Sequence, residues 1–147
     1  MSHYQLAQLN IAKMKFAIDH PQMSDFVARL DDINALADAG PGFVWRLQTD
    51  DGDATGIDYF GTDALVNMSV WKDIESLHGY VYRSAHTEVM ALRKQWFERM
   101  IESYSVLWWI AEGHTPSLDE ASERLECLRE LGPSARAFTF KQTFAPQ

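Results

Sequence analysis

The stretch Ala64-Leu65-Val66-Asn67-Met68-Ser69-Val70-Trp71 decides the fold. Val66, Met68 and Val70 alternate with Leu65, Asn67, Ser69 and Trp71, which is the two-residue period of a strand. One face is apolar. The other mixes an amide, a hydroxyl and an indole. Immediately downstream, Asp73 is placed to cap a helix whose apolar face is Ile74, Leu77, Val81 and Ala85. Upstream, Phe43 to Gln48 reads as a second strand, and the Asp50-Asp51-Gly52-Asp53 turn separates the two.

The pattern extends in both directions. Tyr4 to Ile11 alternates as a strand, with Ala7, Leu9 and Ile11 opposite Leu6, Gln8 and Asn10. Ser24 is the expected cap of a helix with Phe26, Leu30, Ile33 and Ala37 on one face. Gly40-Pro41-Gly42 ends it, because proline cannot continue a helix and glycine accepts a left-handed cap. After the Asp73 helix, a second helical run carries Val89, Trp96 and Met100 at whole turns. Tyr104 to Ile110 is a fourth strand. Ser117-Leu118-Asp119-Glu120 is a capping box, opening a helix with Leu118, Ala121, Leu125, Leu128 and Leu131 in register. Gly132-Pro133 stops that helix, and Phe138 to Phe144 reads as a last strand.

The order is βαββαβ with one helix and one strand appended. That is an α+β, ferredoxin-like antiparallel sheet with its helices on one face. Residues 1–147 are expected to form a single domain, since 147 residues is one domain's length and 46% hydrophobic content excludes disorder. A net charge of -8, from 13 basic and 21 acidic residues, speaks against a nucleic-acid binder and against docking on anionic lipid. The lone Cys127 permits no internal disulfide, and no apolar run is long enough to span a membrane. A soluble cytoplasmic location is the expectation.

If the helices cover the more apolar strand faces, the opposite face carries Gln8, Asn10, Arg46, Gln48, Asn67, Ser69, Trp71, Ser105 and Trp109. A second copy of the chain would then cover it, or failing that the C-terminal segment. Two sheets facing each other enclose a cavity, so a homodimeric barrel holding a small-molecule ligand is expected. An apolar wall with a few placed polar groups is what such a cavity uses. The plain alternative is a wet dimer interface. Trp71 is suited to stack on a flat ligand, or else to pack in the core. Asn67 can donate to a carbonyl or to bound oxygen. Arg46 is costly to bury unpaired and calls for a carboxylate or phosphate, from a ligand or from an acidic residue. His86 stands where one helical run gives way to the next. Its imidazole can ligate a metal or haem iron, act as a base, or simply bond a carbonyl. His3, His20, His78 and His114 fit no zinc spacing. Asp51-x-Asp53 imitates the start of a calcium loop, but Thr62 stands where its bidentate acid should be.

The segments Leu6-Ala7-Gln8-Leu9-Asn10, Ile33-Asn34-Ala35-Leu36-Ala37, Gly42-Phe43-Val44-Trp45-Arg46-Leu47, Asn67-Met68-Ser69-Val70-Trp71 and Tyr82-Arg83-Ser84-Ala85-His86 resemble the bacterial DUF3291 family. The resemblance covers nearly the whole chain. It implies the dimeric α+β barrel superfamily but no activity, since the family is a domain of unknown function. Within that superfamily, Ser69-Val70-Trp71, His86 and Trp96-Phe97 are similar to the spheroidene monooxygenases, which use haem. Asn10, Trp71 and His86 resemble the Asn, Trp and His set of haem-degrading monooxygenases. The antibiotic-biosynthesis monooxygenases oxidise polyphenolic substrates without a cofactor, and Asn67 and Trp71 fit their polar anchors.

These resemblances imply a haem-binding, monooxygenase-like oxidoreductase. His86 would be the metal ligand, Trp71 would pack on the macrocycle, Arg46 would pair with a propionate, and Asn10 and Asn67 would face oxygen or substrate. The alternatives are a cofactor-independent monooxygenase acting on an aromatic substrate and a non-catalytic small-molecule binding module.

Overall fold

The computed structural model describes residues 3–48, 64–83, 95–98 and 105–146. The elements in order are β1 (Tyr4–Lys13), α1 (Ser24–Asp38), β2 (Phe43–Arg46), β3 (Ala64–Trp71), α2 (Ile74–Arg83), β4 (Ser105–Ala111) and α3 (Leu118–Leu131). The four strands form one antiparallel sheet in the order β2-β3-β1-β4. This is the ferredoxin-like arrangement, with the first strand and the third side by side at the centre.

Helix boundaries follow local chemistry. Asp73 Oδ1 accepts from the Ser76 backbone N–H at 2.8 Å and from its hydroxyl at 2.7 Å, which starts α2. These two bonds, the hydroxyl first, hold the Asp73 carboxyl below its usual pKa. Ser117 Oγ accepts from Glu120 N at 3.1 Å and opens α3. Gly132, at φ 75°, closes it. Ser24 behaves differently from expectation. It is the first residue of α1, not its cap, and its hydroxyl donates to Pro21 O at 2.8 Å. The helix is preceded by a 3-10 turn, Pro21–Met23, capped by the His20 ring.

At the other end of α1, the left-handed residue is Gly42 (φ 80°), not the helix cap. Gly40 is needed for space: a Cβ there would lie 3.1 Å from the Trp71 ring.

Cross-strand pairing sorts side chains onto two faces. Ala7, Leu9 and Ile11 share one face with Val66, Met68, Val70, Val106 and Trp108. That face is apolar, as the alternation predicts, and its members are at most 4% exposed. Its cover is not the one expected. The C-terminal helix α3 lies on it, with Ala121, Leu125 and Leu128 in the same cluster. Trp108 is 0% exposed, and its indole N–H donates to Glu120 Oε2 on α3 at 2.8 Å. Helices α1 and α2 cover the other, mixed face. The face left by the two crossover helices is therefore met by the chain's own C-terminal segment.

Three further expectations give way to tertiary packing. Strict alternation along Phe43 to Gln48 puts Phe43 with Trp45 and Leu47, but a register shift between Phe43 and Trp45 moves it to the opposite face. There it meets Trp71 edge-on at 5.5 Å, while Trp45 and Leu47 stay on the apolar side. The one-residue irregularity flips the pattern, as a bulge must. Trp96 does not lie on a helix: Gln95–Glu98 runs beside the end of β1, with Met14 bridged to Phe97 and Lys15 N donating to Trp96 O at 2.8 Å. The Phe138–Phe144 segment is not a strand either. Phe138 makes a two-bond bridge to Leu107 on the β4 edge, and beyond it Thr139 bridges only to Gln142. Its aromatic residues fold onto the mixed face, where Trp109 Nε1 donates to Phe144 O at 2.8 Å. No helix of the described residues is long and apolar enough to cross a membrane.

Candidate functional site

The mixed face is built in three zones along β1 and β3. At one end Leu6 pairs with Trp71, and around them gather Ala37, Leu77, Leu107 and Phe138. At the other end Met14 joins Met23, Phe26 and Trp96, with Leu65 packed against them. Between these two apolar clusters the pairs are Gln8 with Ser69 and Asn10 with Asn67, with Ser105 opposite Asn10 on β4. The polar zone is two residue pairs long, about 7 Å of strand.

The bonds in this zone are specific. Gln8 is 8% exposed, and its Nε2 donates to Ser69 Oγ at 2.8 Å and to Asn67 Oδ1 at 2.5 Å. Trp71 Nε1 donates to the same Ser69 Oγ at 2.8 Å. Asn67 is exposed although it sits mid-strand, and Asn10 is half-buried. Asn10 Oδ1 is buried and has no hydrogen-bond partner among the described residues. Leaving a buried acceptor unpaired costs on the order of 1–3 kcal/mol. The amide pair thus presents an acceptor without a donor beside an open carboxamide.

Trp71 is 0% exposed. Its ring stacks on Tyr80 at 5.1 Å and meets Phe43 edge-on, so it is a wall of the apolar cluster, reaching the floor only through its bond to Ser69. Burial pushes the Tyr80 phenol up to about 12; Arg46 works against that shift and Asp38 with it. Tyr80 donates to Ile33 O at 3.2 Å. Arg46 lies on the mixed face, paired with Ser69 across β2 and β3. Its Nε donates to Asp38 Oδ1 at 2.7 Å and its Nη2 to Asp38 Oδ2 at 3.3 Å. The acid that Arg46 calls for is therefore supplied from the last residue of α1.

His86 lies outside the described residues, as do the 51–62 turn and Val89 and Met100. Of the other histidines, His20 stacks on Phe16, His78 meets Phe140 edge-on, and His114 Nε2 is 2.6 Å from Glu120 Oε1. No group of three metal-ligating side chains occurs among the described residues. The described residues do not fit a haem as assigned above. The guanidinium meant for a propionate is bound to Asp38, and the indole meant for the macrocycle has no open face.

The floor brings together Asn10 and Asn67, as the strand faces predict, and sets Trp71 and Arg46 behind and beside it. The residue that sequence reading passed over is Gln8. Its place on the same strand face as Asn10 was the available signal.

The fold and the floor define a ferredoxin-like α+β protein with a cluster of side-chain amides on the sheet face that its crossover helices cover. The chain belongs to DUF3291, a domain of unknown function, whose family model matches residues 5–147. No curated protein matches the chain.

Among solved structures, NE2512, a protein of unknown function from Nitrosomonas europaea, is similar at 12% identity and a TM-score of 0.49. The match covers 80% of this chain and 97% of that one. SnoaB, a cofactor-independent oxygenase from Streptomyces nogalater, is similar at 15% identity and a TM-score of 0.44, over 78% of this chain and 96% of that one. Both likenesses are too slight to transfer an activity.

Proposed function

We propose that this chain binds a small hydroxylated aromatic molecule over Asn10 and Asn67, and oxidises it in the cofactor-independent, monooxygenase-like manner. The observation that carries the reading is the unpaired Asn10 Oδ1. A buried acceptor of this kind is satisfied by a donor that arrives with a ligand, and a phenolic hydroxyl is such a donor. Asn67 Nδ2, which has no partner among the described residues, can donate to an oxygen of the same molecule. The two apolar clusters flanking the floor supply the walls an aromatic ring prefers. With a hydroquinone, one atom of dioxygen enters a ring carbon and the other leaves as water, giving a hydroxyquinone; the substrate itself supplies the electrons.

The test is oxygen uptake with a hydroquinone, in the presence of a chelator and without haemin. The native chain is expected to consume oxygen, and Asn67→Ala to lose about a hundredfold in rate, as when one positioned donor is removed. Binding of the hydroquinone without uptake would reduce the reading to a non-catalytic binding module. Uptake that appears only with added haemin and vanishes in His86→Ala would replace it with the haem reading.

A further inference from the structure

We propose that Gln8 is a positioning residue that sets which end of the Asn67 amide faces the ligand. This rests on the reading of the floor as a ligand site. A carboxamide is a donor at one end and an acceptor at the other, and an open asparagine can present either by turning about its last bond. In this chain Gln8 opposes the turn. Gln8 Nε2 has two hydrogens and spends both, one on Asn67 Oδ1 and one on Ser69 Oγ. Ser69 Oγ also receives the indole N–H of Trp71, which can only donate and is itself locked in a fully buried ring.

The chain of bonds therefore runs from Trp71 and Gln8 into Ser69, and from Gln8 to Asn67. With Oδ1 held inward, Asn67 turns Nδ2 outward. Beside it Asn10 Oδ1 lies buried without a partner among the described residues, an acceptor for a donor that enters with the ligand. The floor then reads a ligand by polarity: an oxygen acceptor over Asn67 and a donor over Asn10. Gln8 touches no ligand and acts only through Asn67.

Two probes separate the polarities. 1-Methoxynaphthalene carries an oxygen that only accepts, whereas the hydroxyl of 1-naphthol both accepts and donates. Their dissociation constants are measured by titration calorimetry on the full chain. In Gln8→Glu, the carboxylate introduced at position 8 accepts from Asn67 Nδ2 and turns Oδ1 outward. The affinity for 1-methoxynaphthalene is expected to fall about tenfold. That for 1-naphthol, which can donate to the reversed amide, should change by less than threefold. The ratio of the two constants is the readout, and general loosening of the core does not move it.

Gln8→Met, which removes both donors without adding charge, is the second variant. It is expected to shift the ratio in the same direction by about threefold and covers the case in which Gln8→Glu does not fold. A ratio unchanged in a folded variant overturns the role of Gln8 and leaves the site intact. A native chain that binds neither probe overturns the site and this inference together.

Discussion

On the α3 side of the sheet, Ala7, Leu9, Val106 and Trp108 have no exposure, and the one polar group among them, the Trp108 indole N–H, has its acceptor on Glu120. On the α1 and α2 side, on the same strands, Asn10 keeps an unpaired oxygen and Asn67 stands open. Both faces are covered by helices, yet only one is closed. Packing to the density of an organic crystal with every polar group paired is what stability asks for. A buried amide oxygen left unpaired between two apolar clusters works against stability, and the proposed ligand site rests on that cost. The contrast teaches that cover and closure are separate properties of a sheet face.

The sharpest way to break the comparison is in the closed face. Trp108→Ala empties a fully buried site and is expected to lower unfolding free energy by about 3–5 kcal/mol, measured by urea denaturation. Leu125→Ala, on the α3 side of the same cluster, should cost about 2–4 kcal/mol in the same assay. If both changes cost under 1 kcal/mol, α3 is not docked on this face.

On the alkaline limb, the Tyr80 phenol is neutral in the folded chain up to about pH 12, whereas in the unfolded chain it ionises near 10. The unfolded state therefore releases its proton first. Stability contributed by the buried phenol is complete below pH 10 and declines between 10 and 12. Tyr80→Phe should remove that part of the decline, read from denaturation midpoints at pH 9 and 11.5. On the open face the sign reverses. Asn10→Leu replaces an unpaired acceptor by a hydrocarbon of similar size, and is expected to raise stability by about 1 kcal/mol while abolishing probe binding. A loss of stability there would mean that Asn10 belongs to the core.

Much of this was legible in the residues. The period-two alternation of Ala64 to Trp71 predicts β3 to the residue, and the capping chemistry of Asp73 and Ser117 predicts where α2 and α3 begin. These are local signals, read over a few residues. What failed depends on distant partners. The bulge that sends Phe43 to the Trp71 side is set by pairing with β3, not by anything in Phe43 to Gln48. Phe138 to Phe144 alternates like a strand, but its aromatic residues pack onto the mixed face and only Phe138 meets the β4 edge.

The site shows the same division. Strand parity places Asn10, Asn67 and Gln8 on one face. Choosing which helices cover that face needs the third dimension, because apolarity alone assigns α1 and α2 to the wrong side. The salt bridge of Arg46 to Asp38 spans a helix end and a strand that neither segment announces.

The central claim is that ligand binds on the open face and leaves the closed face untouched. Two-dimensional NMR of the amide and indole N–H groups tests it most directly, with 1-naphthol titrated into the native chain. The account predicts that the side-chain amides of Asn10 and Asn67 shift with added naphthol, while the Trp108 indole resonance stays where it was. Shifts confined to Trp108 and α3, or no shift at either asparagine at saturating naphthol, would contradict it.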